Sequence, residues 1–91
     1  MNSIDLKKVT KSQKVNVLGS TFIYDLFINV ISGTPAIKIG TTSGGEEILA
    51  SASYTGFNHI KLEEHFANLT VLYITITGVS TTDIIMDYKR F

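Results

Sequence analysis

The sequence contains no cysteine, and this absence removes two common ways of stabilising a short chain. Neither a disulfide framework nor a thiolate metal site can form. A chain of 91 residues makes one domain at most and buries only about 60 to 65 % of its unfolded surface. Oligomerisation is the remaining common aid to stability. We therefore expect a single domain over residues 1–91 that forms a homo-oligomer.

Charge of either sign is scarce, and no apolar run is long. Eight Lys and Arg residues balance eight Asp and Glu residues, so nothing global steers the chain to nucleic acid or to an anionic membrane. The most apolar region, residues 21–31, is interrupted by Asp25 and Asn29 and falls short of the roughly 18 residues that span a membrane. The first six residues lack the basic flank of a signal peptide. We expect neither a transmembrane segment nor a secretory signal.

Apolar and polar residues alternate with a period of two along most of the chain, as in Val15 and Val17 or Ile37 and Ile39. Turns rich in glycine and hydroxyl side chains separate these runs. The pattern predicts strands at residues 4–9, 14–18, 21–31, 35–39, 46–52, 57–62, 70–77 and 83–90. Only residues 62–69 have helical spacing, and they predict one or two helical turns between two strands.

Short strands at roughly ten-residue spacing predict an all-β fold. The arrangement they favour is a two-sheet antiparallel β-sandwich of seven to eight strands. Jelly-roll and immunoglobulin-like topologies both fit, because the pattern fixes the strands but not their order.

The run from Ile39 to Leu49 begins like a phosphate-binding loop, because Gly40 and Gly45 are separated by four residues. Such a loop continues with Lys and then Ser or Thr, and a helix follows it. Glu46 and Glu47 stand in those places and would repel a polyphosphate. We therefore expect an exposed turn between two strands and no bound nucleotide.

Metal-ligating side chains gather only at His59, Glu63, Glu64 and His65. Divalent metals accept imidazole with carboxylate, but this spacing matches no established metal site. The adjacent pairs Glu46–Glu47 and Glu63–Glu64 point to opposite faces of a strand, so neither forms an acid–base pair. No serine lies in a nucleophile elbow. We expect no metal, no cofactor and no enzymatic activity.

Two further sets of residues suggest binding. Lys7, Lys8, Lys11 and Lys14 could contact phosphates, but no arginine or aromatic residue is interleaved with them, so a solvated sheet edge fits better than nucleic acid. Four tyrosines, Tyr24, Tyr54, Tyr73 and Tyr88, offer stacking faces and hydroxyls for a sugar. A small carbohydrate-binding or adhesion module is therefore an alternative function.

The segments "AIKIGTTSGGEEIL" and "LYITITGVSTTD", with a final strand after them, resemble small β-sandwich structural proteins of tailed bacteriophages. The family comprises capsid decoration, head-fibre and tail subunits. The resemblance implies a virion component that binds copies of itself or a coat or tail protein, and it carries no catalytic or ligand residue.

The run from Phe22 to Ile31 is the candidate partner interface. A regular strand would place one apolar set on the core side, namely Phe22, Tyr24, Leu26, Ile28 and Val30. The opposite side would carry Ile23, Phe27 and Ile31 beside Asp25 and Asn29. Three large apolar side chains on an outer face predict that a second surface covers them. Residues 62–69, folded over this face, are the alternative cover.

Overall fold

The computed structural model describes residues 2–91, and that part of the chain is all-β. Its eight strands are β1 (Asn2–Val9), β2 (Gln13–Val17), β3 (Thr21–Gly33), β4 (Ala36–Gly40), β5 (Leu49–Ser53), β6 (Phe57–Phe66), β7 (Thr70–Thr77) and β8 (Ser80–Arg90). They form two antiparallel sheets of four, sheet A in the order β1-β8-β3-β6 and sheet B in the order β2-β7-β4-β5. The predicted two-sheet sandwich is confirmed.

The strand order selects between the two topologies that the sequence leaves open. β1 pairs with β8, β2 with β7, β3 with β6 and β4 with β5, so the first half of the chain pairs with the second as one long hairpin. Rolling this hairpin makes β3 a neighbour of β8 and β4 a neighbour of β7. This arrangement is a jelly roll.

The core lies between the two sheets and consists mainly of β-branched and aliphatic side chains. Its buried members are Val9, Val15, Val17, Ile23, Leu26, Ile28, Val30, Ile37, Ile39, Phe66, Leu72, Ile74, Ile76, Ile84 and Met86. Three hydroxyl residues are buried with them on sheet A. Thr21 Oγ1 donates to the carbonyl of Leu18 at 2.7 Å, whereas the hydroxyls of Ser80 and Thr82 have no partner within residues 2–91.

A bulge in β3 overturns the predicted direction of Ile23. Ile23 pairs with Tyr88 and the next paired residue, Asp25, pairs with Asp87, so Tyr24 is an extra residue on β3. Because side chains alternate, one extra residue reverses every side chain on its N-terminal side. Ile23 is fully buried in the core, and Phe22 and Tyr24 are half-buried outside it. The predicted core positions Leu26, Ile28 and Val30 are buried as expected.

Residues 62–69 do not form the predicted helical turns. Strand β6 continues through this segment to Phe66 and pairs with β3 along its length. Pairing with β3 outweighs the helix propensity of "LEEHFANL", because propensity is a weak term beside tertiary contacts. The segment therefore extends the sheet and does not cover its outer face. No helix of residues 2–91 is long and apolar enough to cross a membrane.

The lysine-bearing strands β1 and β2 are edge strands, as predicted for a solvated edge. β1 is irregular between Leu6 and Val9, where Lys8 adopts a φ of 52° and its N–H donates to Asp83 Oδ1 at 2.7 Å. β2 is only five residues long and carries Lys14. Bulges, short strands and lysines all hinder pairing with a further strand.

The other two edge strands, β5 and β6, are hindered by different means. β5 has five residues, and the N–H of Ser51 donates to the Glu46 carboxylate at 2.6 Å. β6 is interrupted at Glu63, which adopts a φ of 52° opposite the Tyr24 bulge. All four edges are therefore poor templates for strand addition.

Candidate functional site

The outer face of sheet A, the side turned away from sheet B, carries an apolar centre on its two middle strands. Phe27 of β3 lies opposite Ile85 of β8 and His59 of β6. Charged residues occupy the row on one side, where Asp25 lies opposite Asp87 and Lys61. On the other side Asn29 lies opposite Asp83 and Phe57.

Aromatic rings stack around Phe27 at this centre. The ring centroids of Phe27 and His59 are 4.6 Å apart at an interplanar angle of 14°, and those of Phe27 and Phe57 are 5.9 Å apart at 29°. A hydrogen bond of 2.8 Å joins His59 Nε2 to Asp25 Oδ1 and holds the imidazole over Phe27. Together with Ile85, these three rings form a continuous surface that we call the Phe27 patch.

The Phe27 patch is open to solvent. Phe57 is 67 % exposed, and Phe27 and Ile85 are half-buried by their neighbours within the sheet. The outer face of an antiparallel sandwich sheet is ordinarily polar. Clustered apolar side chains rimmed by charged residues are typical of protein interaction surfaces. The arrangement can bury a flat apolar centre against another surface.

Only part of the predicted interface lies at this patch. Phe27 is at its centre, but Ile23 faces the core. Ile31 is 53 % exposed and lies at a second irregularity of β3, between Val30 and Ser32, away from the Phe27 ring stack. The sequence analysis missed Phe57 and Ile85, which depend on the pairing of distant strands. A local signal exists in both cases, since each is an apolar residue at an outward strand position among polar ones.

The four side chains of the types that bind metals, which lie close together in the sequence, do not come together in the structure. His59 is bonded to Asp25 in the middle of β6, and His65 lies near the end of that strand beside the Phe91 ring at 6.2 Å. Glu63 is exposed at the bulge and Glu64 is half-buried. Within residues 2–91, no three His, Asp or Glu side chains are grouped as metal ligands.

The glycine-rich segment forms a turn that joins β4 to β5, as predicted. The Glu47 carboxylate lies inside the turn and accepts hydrogen bonds from the N–H and hydroxyl of Thr41 at 3.3 and 3.0 Å. A Cβ at Gly40 would collide with the backbone of Gly45, which explains the glycine at position 40. A hydrogen bond from its own backbone N–H, followed by that of the Thr41 hydroxyl, holds the pKa of Glu47 below its usual range. The donors that a phosphate would need are thus held by an internal carboxylate.

The four tyrosines do not form one platform. Tyr73 lies on the outer face of sheet B, with Lys14 Nζ 5.7 Å from its ring centroid. Tyr54 follows β5 and packs against the core, and this burial raises its pKa. Tyr24 and Tyr88 line a shallow cleft of about 550 Å³ at one end of sheet A, with Asn2, Lys89 and Arg90.

Comparison with known proteins yields no relative. No family model, no curated protein and no solved structure matches the chain.

Proposed function

We propose that the chain is a non-enzymatic structural protein that docks another protein surface onto the outer face of sheet A. The supporting observation is the Phe27 patch, in which aromatic rings of β3 and β6 stack on the outer face of the sheet. Burying an aliphatic or aromatic side chain contributes roughly 1.5 to 3 kcal/mol. Covering this patch would therefore supply a large part of the free energy of an assembly.

The edges of the sandwich support docking through a face. Each edge strand is short, irregular or charged, so strand addition is hindered on every side. A partner that approaches the outer face of sheet A meets none of these obstacles. Side-chain burial on that face is a mode of association that the hindered edges do not obstruct.

The proposed setting is the virion of a tailed bacteriophage, where the chain binds copies of itself or a coat or tail protein. The resemblance of the "AIKIGTTSGGEEIL" and "LYITITGVSTTD" segments to small virion sandwiches supports this setting. Jelly rolls serve as viral capsid domains, which is an analogy at the level of fold. Capsid, portal or tail genes beside the coding gene would support the setting, and an unrelated gene neighbourhood would count against it.

The second candidate is a carbohydrate-binding or adhesion module, because jelly rolls also serve as lectin domains. The observation that favours it is the cleft in which Tyr24 and Tyr88 lie beside Lys89 and Arg90. Aromatic faces and cationic side chains suit an acidic sugar. This cleft is separate from the Phe27 patch, so the two functions depend on different residues.

Changing Phe27→Asp tests the proposed function. The variant places a charge at the centre of the patch. Because position 27 lies outside the core, we expect weaker self-association or coat-protein docking and a folded monomer. Sedimentation velocity and thermal melts measure the two properties separately. The matched control is Thr75→Asp on the outer face of sheet B, which should associate like the unmodified protein. A Phe27→Asp variant that associates fully would contradict the proposal.

A further inference from the structure

The charges on the outer face of sheet A are divided between its two halves. Carboxylates predominate on β1, β8 and β3, at Asp5, Asp25, Asp83 and Asp87. The edge strand β6 presents Lys61, His59 and His65 on the same face, with Glu63 at its bulge. Lys7 and Lys89 lie at the margins of the acidic half, and Lys7 is 3.9 Å from Asp5. Asp25 and Asp87 on β3 and β8 thus lie in the same row as Lys61 on the edge strand β6, beside the Phe27 patch.

Two aspartates of the acidic half lie next to each other at the border with β6. Asp25 and Asp87 are directly opposite each other on β3 and β8, an arrangement that like charges destabilise. Asp87 accepts a hydrogen bond from the Ser3 hydroxyl at 2.6 Å, and Asp25 is bonded to His59. Within the described chain no Lys or Arg side chain forms an ion pair with either carboxylate. An ammonium group from a second molecule could form the ion pair with these two carboxylates that no Lys or Arg of the described chain forms.

We propose that the partner is a second copy of this chain, which stacks its own outer face of sheet A on this one about a two-fold axis. The axis runs along the strands near Phe27. Such an axis reverses the strand order in the second copy, so β6 of one copy lies over β3 and β8 of the other. Lys61 of the second copy then meets Asp25 and Asp87, and the two Phe27 patches face each other. This inference rests on the proposed docking function and specifies its partner.

The size and symmetry of the face suit this pairing. The molecule measures 37 × 26 × 18 Å along its principal axes, so the broad side is large enough for the roughly 800 Å² per partner that a stable interface buries. A two-fold interface uses one surface twice and must be self-complementary, a condition that Lys61 on β6 and the aspartates on β3 and β8 satisfy because they lie in one row on different strands. Two-fold dimers are also the commonest closed assemblies.

Exchanging charges between the two halves tests the pairing. Asp87→Lys places lysine over Lys61 of the second copy, and Lys61→Asp places aspartate over Asp25 and Asp87. Each variant alone should dimerise about tenfold or more weakly than the unmodified protein, because like charges then face each other. An equimolar mixture of the two variants should dimerise again, because the lysine introduced at position 87 of one chain then faces the aspartate introduced at position 61 of the other, and the unchanged Lys61 of the first faces the unchanged Asp87 of the second. Sedimentation equilibrium measures all three samples.

The control is Lys38→Asp on the outer face of sheet B, which should leave the dimer unchanged. Circular dichroism of each single variant shows whether the chain is folded while monomeric. A mixture that stays monomeric, or single variants that dimerise normally, would overturn the two-fold pairing. A monomeric unmodified protein would overturn it as well. The proposed function itself fails only if Phe27→Asp also leaves docking to other proteins unchanged.

Discussion

The outer faces of the two sheets differ, although the strands that form them are alike. On sheet A strands β8, β3 and β6 present the Phe27 patch with charged residues beside it. On sheet B polar residues predominate at the outward positions, at Lys14, Asn16, Lys38, Tyr73, Thr75 and Thr77, and the apolar exceptions are Ala36 and Val71. The inner faces of both sheets are apolar and pack into one core. Folding thus requires the inner alternation of both sheets, whereas the Phe27 patch lies outside the core.

The largest loss of stability is expected from a charge placed on the core side of β3. Ile23→Asp buries an unpaired carboxylate in the core and should destabilise the fold by roughly 4 kcal/mol or more. Phe22→Asp, one residue away on the outer side, should cost about 1 kcal/mol. Urea denaturation followed by circular dichroism compares the two. Equal stability of both variants would mean that Tyr24 is not the extra residue of a bulge.

The bulge also separates the features that the sequence predicts from those that it does not. Strand β7 was predicted to the residue, and six of the other strands to within about three, because alternation and turn residues are local signals. The bulge at Tyr24 has no such signal, since no glycine lies near it and the apolar run continues on both sides. It arises from pairing with the irregular strand β6 at Glu63. The direction of Ile23 and the composition of the Phe27 patch depend on that long-range pairing.

A smaller effect, a gain of stability, is expected from a substitution on the core side of sheet A. The Thr82 hydroxyl is buried without a hydrogen-bond partner among residues 2–91, whereas the buried residues of sheet B are all apolar apart from Gly40. Thr82→Val keeps the shape of the side chain and should raise the free energy of unfolding by about 1 kcal/mol. Thr21→Val is the control and should lower it, because it removes the hydrogen bond to the Leu18 carbonyl. Thermal melts distinguish a gain from a loss.

The smallest effect concerns the turn on sheet B that Glu47 organises. Its lowered pKa means that its stabilising contribution is complete above the ordinary value of 4.5 and is lost as the pH falls through the folded-state value. Glu47→Gln should therefore be slightly less stable at neutral pH and lose less stability on acidification. Melting temperatures between pH 7 and pH 3 compare the two proteins. Parallel pH profiles would show that the carboxylate does not organise the turn.

If two copies pair through sheet A as proposed, the hindered edges of the sandwich limit the assembly to those two copies. A chain that offered both an apolar docking face and an unhindered edge strand would have two ways to associate and would grow into fibres. Here bulges, short strands and charged residues hinder all four edges, and the Phe27 patch lies on only one of the two outer faces. Two copies joined through that face have no equivalent surface left for a third. Assembly would stop at two, and a concentrated solution of the protein should remain free of strand-paired aggregates.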